Sequence, residues 1–106
     1  MGPSGKAPTV AEKAWRRAII EFGCVACYLD GYAGTPAVQH HIVEANRRVG
    51  HRFSLPLCDP GHHQPDTRSG KVALHPGRNP AFIALYGTER ELLARLERRL
   101  GFEAAT

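Results

Sequence analysis

The stretch Leu55-Pro-Leu-Cys-Asp-Pro-Gly-His-His63 places a cysteine and two adjacent histidines directly behind a short apolar run. Upstream, Cys24-Val-Ala-Cys27 adds a Cys-x-x-Cys pair, which presents two sulfurs to one ion from a tight turn. Cys58 and one of the two histidines are enough to complete a tetrahedral ligand set. The pattern therefore predicts a structural zinc site with the ligands Cys24, Cys27, Cys58 and His62, or with His63 in place of His62.

Two simpler explanations of the cysteines exist. They can be small buried hydrophobic residues, or Cys24 and Cys27 can form a redox pair, but neither explanation accounts for the histidines. The number of cysteines is odd, and Met1-Gly-Pro-Ser-Gly5 is followed by charge rather than by the apolar run of a signal peptide. We therefore expect reduced thiolates that bind metal, and not disulfides.

The composition describes a small basic protein with a net charge of +4 and a pI near 9.3. A basic surface suits a polyanionic partner, and nucleic acid is the favoured class. No stretch approaches the roughly 20 apolar residues of a membrane span. We expect a soluble protein of the cytoplasm.

Local signals predict most of the helices. Residues 1–8 lack an apolar period and are predicted to form a flexible tail, which leaves residues 9–106 as one domain. A capping box at Thr9-Val-Ala-Glu12 predicts a helix over residues 10–22. Asn79-Pro80 predicts a short helix to Tyr86, and a second capping box over residues 88–91 predicts a last helix that Gly101 ends.

The sequence of the middle of the chain predicts two strands followed by a helix. Residues 37–43 and 53–57 are the predicted strands, joined by a polar, arginine-rich loop over residues 44–52. Asp59 followed by Pro60 predicts a helix that carries the two histidines in its first turn. The result is an α+β fold with a small zinc-stapled ββα core, an N-terminal helix and C-terminal helices.

The histidines that the zinc site leaves over predict a second, open metal site. Hydrolysis of a phosphodiester needs a base for water and a cation on the phosphate, and imidazole suits both tasks. His40 and His41 are adjacent in a predicted strand, so they point to opposite faces unless the strand ends or bulges there.

Together these motifs resemble a known family. The segments His40-His41-Ile42, Leu55-Pro-Leu-Cys58 and His62-His63 are similar to those of the HNH, or ββα-metal, endonucleases. The resemblance to the bacteriophage Ref recombination-enhancement nucleases extends from about Gly23 to Leu96 and rests on His75-Pro76, Phe82, Tyr86-Gly-Thr88 and Leu92-Leu93. It implies a zinc-stapled HNH core and a phage- or prophage-encoded DNA endonuclease in recombination, which cuts DNA where a RecA filament has placed a single strand.

Transferred by position, the resemblance also implies residue roles. His41 is the expected general base, and a catalytic Mg²⁺, Mn²⁺ or Zn²⁺ is the expected occupant of a site formed by His40, His63 and His75. The HNH pattern has an asparagine five residues before Cys58, where this chain has Phe53. His51 is the nearest substitute as a catalytic residue, with a solvated loop histidine as the alternative. Because Cys58 and His62 are one residue further apart than usual, His62 and His63 can exchange roles.

Basic residues are expected to bind the DNA backbone on both sides of the histidines. They neutralise phosphates without reading bases, so their affinity falls with salt. The predicted DNA-binding residues are Arg47, Arg48, Arg52, Arg68, Lys71 and Arg78. Arginines of the last helix, Arg90 among them, alternate with glutamates as on a solvated face.

Two other functions fit the same sequence. A non-catalytic zinc-dependent module predicts salt-sensitive DNA binding without cleavage in any divalent metal. A module that docks on a recombinase filament predicts partner binding without DNA affinity of its own.

Overall fold

The computed structural model describes residues 7–75 and 78–105. The fold is a small α+β arrangement with two antiparallel two-stranded sheets, which confirms the predicted class. The predicted tail lies mainly outside the described residues. The elements in chain order are α1 (Val10–Phe22), α2 (Val25–Leu29), β1 (Val38–His41), β2 (Val43–Glu44), β3 (Arg47–Arg48), β4 (Ser54–Leu57), α3 (Pro80–Tyr86) and α4 (Glu89–Leu100).

Both predicted capping boxes are present. Thr9 Oγ1 accepts from the backbone of Glu12 while the Glu12 carboxylate accepts from the backbone of Thr9, and Thr88 and Glu91 do the same at α4. Each box satisfies two backbone N–H groups that a helix start leaves open. The predicted helix ends at Phe22 and Tyr86, and the predicted stop at Gly101, are confirmed as well.

The sheet that carries His40 and His41 lies at the centre of the molecule. β1 pairs antiparallel with β4, with His40 opposite Leu55 and His41 opposite Ser54. β4 is buried along its whole length and contacts α1, α2 and α4. Trp15 of α1 is fully buried and donates from Nε1 to the carbonyl oxygen of Ser54 at 3.1 Å. The core therefore holds this strand pair in place.

The arginine-rich segment contains a hairpin that the sequence analysis missed. β2 and β3 pair antiparallel, and Ala45 and Asn46 between them have φ values of 53° and 62°. Two successive positive φ angles are typical of the type I′ turn of a two-residue hairpin. Alanine at the first of these positions gives no turn signal, and the strands are too short to show a period.

The predicted helix that opens at Asp59 is wrong. Residues 59–64 form turns in which the His63 N–H donates to the Cys58 carbonyl and the Gly61 N–H to the Gln64 carbonyl. Gly61 has φ 138°, far from helical values, and an added Cβ would lie 2.9 Å from Cys58 Sγ. The chain folds tightly around the cysteine, so the helix expected directly after it does not form, and the next helix of the described residues begins at Pro80.

In the part of the chain that is described, no helix is both long and apolar enough to cross a membrane.

Candidate metal centres

Three cysteine side chains and one imidazole converge where α2 meets the end of β4. Cys24 and Cys27 flank the start of α2, and Cys58 follows β4 directly. The turn after Cys58 brings in His62, whose Nδ1 lies 3.4 Å from each of the three sulfurs. All four side chains are buried, and His62 is only 1% exposed. The site is closed to solvent, as structural metal sites are.

The distances fit a tetrahedral zinc ion. Zinc lies about 2.3 Å from sulfur and about 2.0 Å from nitrogen, which sets neighbouring ligand atoms about 3.5–3.8 Å apart. Cys27 Sγ and Cys58 Sγ are 3.8 Å apart, and the four ligand atoms all lie within 4.8 Å of one another. A disulfide needs about 2.05 Å between sulfurs, and the three cysteines are free. The four residues can hold a metal ion, in a geometry compatible with structural zinc.

The surroundings of the cysteines shift the pKa values of Cys24 and Cys58 in opposite directions. Burial raises the pKa of the Cys24 thiol to about 12, so this thiol keeps its proton unless a cation replaces it. Burial also acts on Cys58, but hydrogen bonds from the His62 N–H and the other cysteines outweigh it and lower the pKa of Cys58. Lys71 Nζ lies 3.5 Å from Cys58 Sγ and adds a positive charge beside it. A metal-bound set of three thiolates would have this lysine as a counter-charge.

The imidazole of His62 is fixed from its other side. Its Nε2 lies 3.1 Å from the Tyr86 hydroxyl, which donates to Asp30 Oδ2 at 2.8 Å. Burial lowers the pKa of His62, which favours the neutral form that ligates metals. Such outer contacts orient a ligating histidine and set its tautomer. Sequence analysis missed Asp30 and Tyr86 in this role because they come from separate segments.

A second cluster consists of His40, His63 and His75. Their ring centroids are 5.2 Å apart for His40 with either partner and 4.8 Å apart for His63 with His75. One ligand atom from each lies within 4.8 Å of the others. His40 is buried, whereas His63 and His75 are partly exposed. The structure thus groups His62 with the thiolates and His63 with the other histidines, and this second cluster is open toward solvent.

Carboxylates lie behind two of these rings. Glu89, the first residue of α4, places Oε2 2.6 Å from His40 Nε2, and Asp59 Oδ2 lies 3.4 Å from His63 Nδ1. Each contact engages one ring nitrogen, so that the other nitrogen of the same ring could bind a cation. Burial and the neighbouring His40 and His63 lower the pKa of His75, which favours its neutral form. Glu89 and Asp59 give no signal in sequence, because acidic residues at helix starts and turns are common.

His41 does not join the three-histidine cluster. It ends β1 without a bulge, and its Nε2 lies 3.1 Å from Nδ1 of His51. Burial, together with the neighbouring Arg48, His51 and His40, lowers the pKa of His41 to about 4. His41 is therefore neutral near pH 7, and in β1 it directly follows His40 of the three-histidine cluster.

The predicted DNA-binding residues separate into two groups. Arg47, Arg48, Arg68 and Arg78 are exposed. Arg52, in contrast, places its guanidinium carbon 3.9 Å from the centroid of Trp15, pairs with Glu97 at 3.0 Å and donates to the Glu103 carbonyl. Arg52 is thus engaged in contacts within the protein, unlike the four exposed arginines. Lys71 is likewise half-buried and turned toward Cys58.

A known protein family matches most of the chain. The family described as "Recombination enhancement, RecA-dependent nuclease" matches residues 8–101. The chain belongs to this family. The match confirms the resemblance to the Ref-type nucleases. Among curated proteins, none matches the chain significantly.

Proposed function

We propose that this member of the RecA-dependent nuclease family is a metal-dependent DNA endonuclease of the HNH type, which hydrolyses phosphodiester bonds. The observation that carries the proposal is the separation of two clusters. Cys24, Cys27, Cys58 and His62 form a closed site that suits structural zinc, whereas His40, His63 and His75 form an open site beside His41. A closed site stabilises a fold, and an open one leaves positions for water and substrate.

The open cluster supports hydrolysis through its three imidazoles. His40, His63 and His75 would hold a divalent cation, with Glu89 and Asp59 fixing two of the rings. Such a cation supplies positive charge to the scissile phosphate and the leaving oxygen. Mg²⁺, Mn²⁺ and Zn²⁺ are the candidates, and three nitrogen ligands suit the transition-metal ions best.

His41 is the proposed general base. When His41 donates from Nε2 to His51 Nδ1, its own Nδ1 remains an acceptor for a proton of water. His51 would hold the ring in this tautomer and orientation, much as the third group of a catalytic triad holds its histidine. The pKa of about 4 keeps His41 unprotonated at physiological pH.

Arginines would hold the DNA strand beside this site. Arg47, Arg48, Arg68 and Arg78 are exposed and can neutralise phosphates without reading sequence. DNA and a RecA filament are the proposed partners, which follows the description of the family.

The test is a cleavage assay with single-stranded, duplex and branched DNA, with and without RecA and ATP, in magnesium, manganese or zinc. We expect cutting that requires a divalent ion and is lost in His40→Ala. Binding of DNA without cutting in any metal would favour a non-catalytic zinc module instead. RecA binding without DNA affinity would favour a docking module.

A further inference from the structure

The β2–β3 hairpin projects a basic tip directly after His41. Arg47 and Arg48 are exposed on β3, and Val43 and Val49 at the hairpin base are 42% and 37% exposed. The Val49 N–H donates to the Ile42 carbonyl, so the hairpin continues from the strand that carries the histidines. A two-stranded ribbon with basic and small apolar side chains has the chemistry to lie along a DNA backbone.

One residue of α4 ties this hairpin to the helix. Arg90 donates from Nε to Glu44 Oε2 at 2.8 Å and from Nη2 to Glu44 Oε1 at 2.7 Å. Its guanidinium carbon also lies 4.8 Å from the ring centroid of Phe53. A two-point contact of this kind fixes direction as well as distance. Phe53, which occupies the position of the HNH asparagine, thus packs its ring against the guanidinium of Arg90.

The neighbouring residue of the same helix reaches the histidine cluster. Glu89 contacts His40, and the capping box of Thr88 and Glu91 fixes the helix start on which Glu89 and Arg90 lie. Consecutive side chains therefore connect one rigid helix turn to the open metal site and to the hairpin.

We propose that the β2–β3 hairpin is a DNA-holding arm and that Arg90 is a positioning residue, which sets the arm beside the histidine cluster through Glu44. The proposal rests on the proposed function for the identity of the ligand, the sugar-phosphate backbone of DNA. A carboxylate at position 44 without a partner would repel that backbone. The two hydrogen bonds from Arg90 neutralise Glu44 and fix the hairpin to α4. Arg47 and Arg48 then meet phosphates in a fixed register.

Glu44→Gln separates this proposal from simple electrostatics. The substitution removes a negative charge, so charge alone predicts tighter binding to DNA. Loss of the arm's position predicts weaker binding, by about two- to fivefold for a partly exposed pair. Arg90→Gln should weaken binding to a similar extent, and Glu44→Arg combined with Arg90→Glu, which keeps the net charge, should restore at least part of the affinity.

The measurement is fluorescence anisotropy of labelled single-stranded and duplex DNA with the full chain in EDTA-free buffer at two salt concentrations. Arg98→Gln is the matched control, because it removes the same charge from an exposed site on the same helix. Hydrogen exchange of the amides of residues 43–49 in the free protein provides a second readout. We expect faster exchange in Glu44→Gln and Arg90→Gln, with unchanged melting temperature and metal content.

The DNA-holding arm and the nuclease activity are tested independently of each other. If Glu44→Gln binds as tightly as the parent or more tightly, or if Arg90→Gln behaves like Arg98→Gln, the arm is refuted. Should either variant unfold, Arg90→Lys, which keeps the charge and loses the two-point contact, gives the same comparison. A parent chain that binds DNA but never cuts it refutes the nuclease and leaves the arm standing, and one that does not bind DNA refutes the arm.

Discussion

His41 Nε2 lies 3.1 Å from His51 Nδ1, and this contact joins the last residue of β1 to the turn that precedes β4. It gives His51 a partner inside the protein and removes the need for a bulge at His41, because His40 and His41 serve different partners. In the proposed mechanism, His51 would orient His41 in place of the asparagine of the HNH pattern.

His41→Ala should abolish cleavage and leave the fold, the zinc content and the DNA affinity nearly intact. A general base contributes roughly 10²–10⁴-fold to the rate and little to ground-state binding. Single-turnover rates, metal analysis and a binding titration measure the three quantities. Cutting at close to the parent rate would show that another group is the base, and a parallel loss of zinc would place His41 in the structural site.

His51→Ala should lower turnover by more than about tenfold at an unchanged melting temperature, since it removes the contact that orients the base. The His51 carbonyl, which binds Gln39 and Ser54, is retained in this variant. His51→Asn, with a side chain that can still hydrogen bond, should recover part of the rate. An alanine variant with the parent's rate would make His51 a solvated loop residue.

Chelation of zinc, or Cys58→Ser, should unfold the domain rather than only inactivate it. The four ligands join α2, the end of β4 and the following turn, and in small domains the free energy of metal binding is free energy of folding. Circular dichroism melts with and without a strong chelator, alongside metal analysis, are the measurement. His75→Ala, at the open cluster, is the control and should keep both zinc and fold. An unchanged melt after verified zinc removal contradicts the prediction.

The helix starts could be predicted from sequence because each signal is contained within four residues. The hydrogen bonds between Thr9 and Glu12, and between Thr88 and Glu91, form within one helix turn and do not depend on the rest of the fold. The Cys-x-x-Cys pair is similarly local. These features therefore appear in the structure as expected.

The missed features depend on contacts between distant segments. Arg52 looks like its exposed neighbours in sequence, but Trp15 and Glu97 from two separate helices draw it into the protein. Asp59-Pro60 is a valid helix start by sequence, and it becomes a turn because the chain must bring His62 back toward Cys58. Glu89 gains its role only when α4 packs beside His40.

Gly61→Ala should destabilise the protein and weaken its hold on zinc. The new Cβ would lie 2.9 Å from Cys58 Sγ and 3.0 Å from Lys71 Cδ, at a φ of 138° that side chains rarely adopt. The expected loss of unfolding free energy is about 3 kcal/mol. Gly70→Ala is the matched control, with φ 71° and no described atom within 4 Å of an added Cβ, and should cost about 1 kcal/mol. Equal losses in urea unfolding of the two variants would show that Cys58 is not crowded at this turn.

Arg52→Ala should lower stability without a specific loss of DNA affinity, which is the reverse of what its place among basic residues suggests. Its guanidinium lies over Trp15 and pairs with Glu97, whose side chain is 7% exposed, so removal leaves that carboxylate short of its partner. Breaking such a pair costs about 3 kcal/mol. Arg48→Ala, at an exposed hairpin position, should change stability by less than about 0.5 kcal/mol and should weaken DNA binding with a smaller salt dependence. Urea unfolding and anisotropy titrations of both variants test the contrast. If Arg52→Ala keeps full stability and loses DNA affinity as Arg48→Ala does, Arg52 belongs to the DNA-binding surface after all.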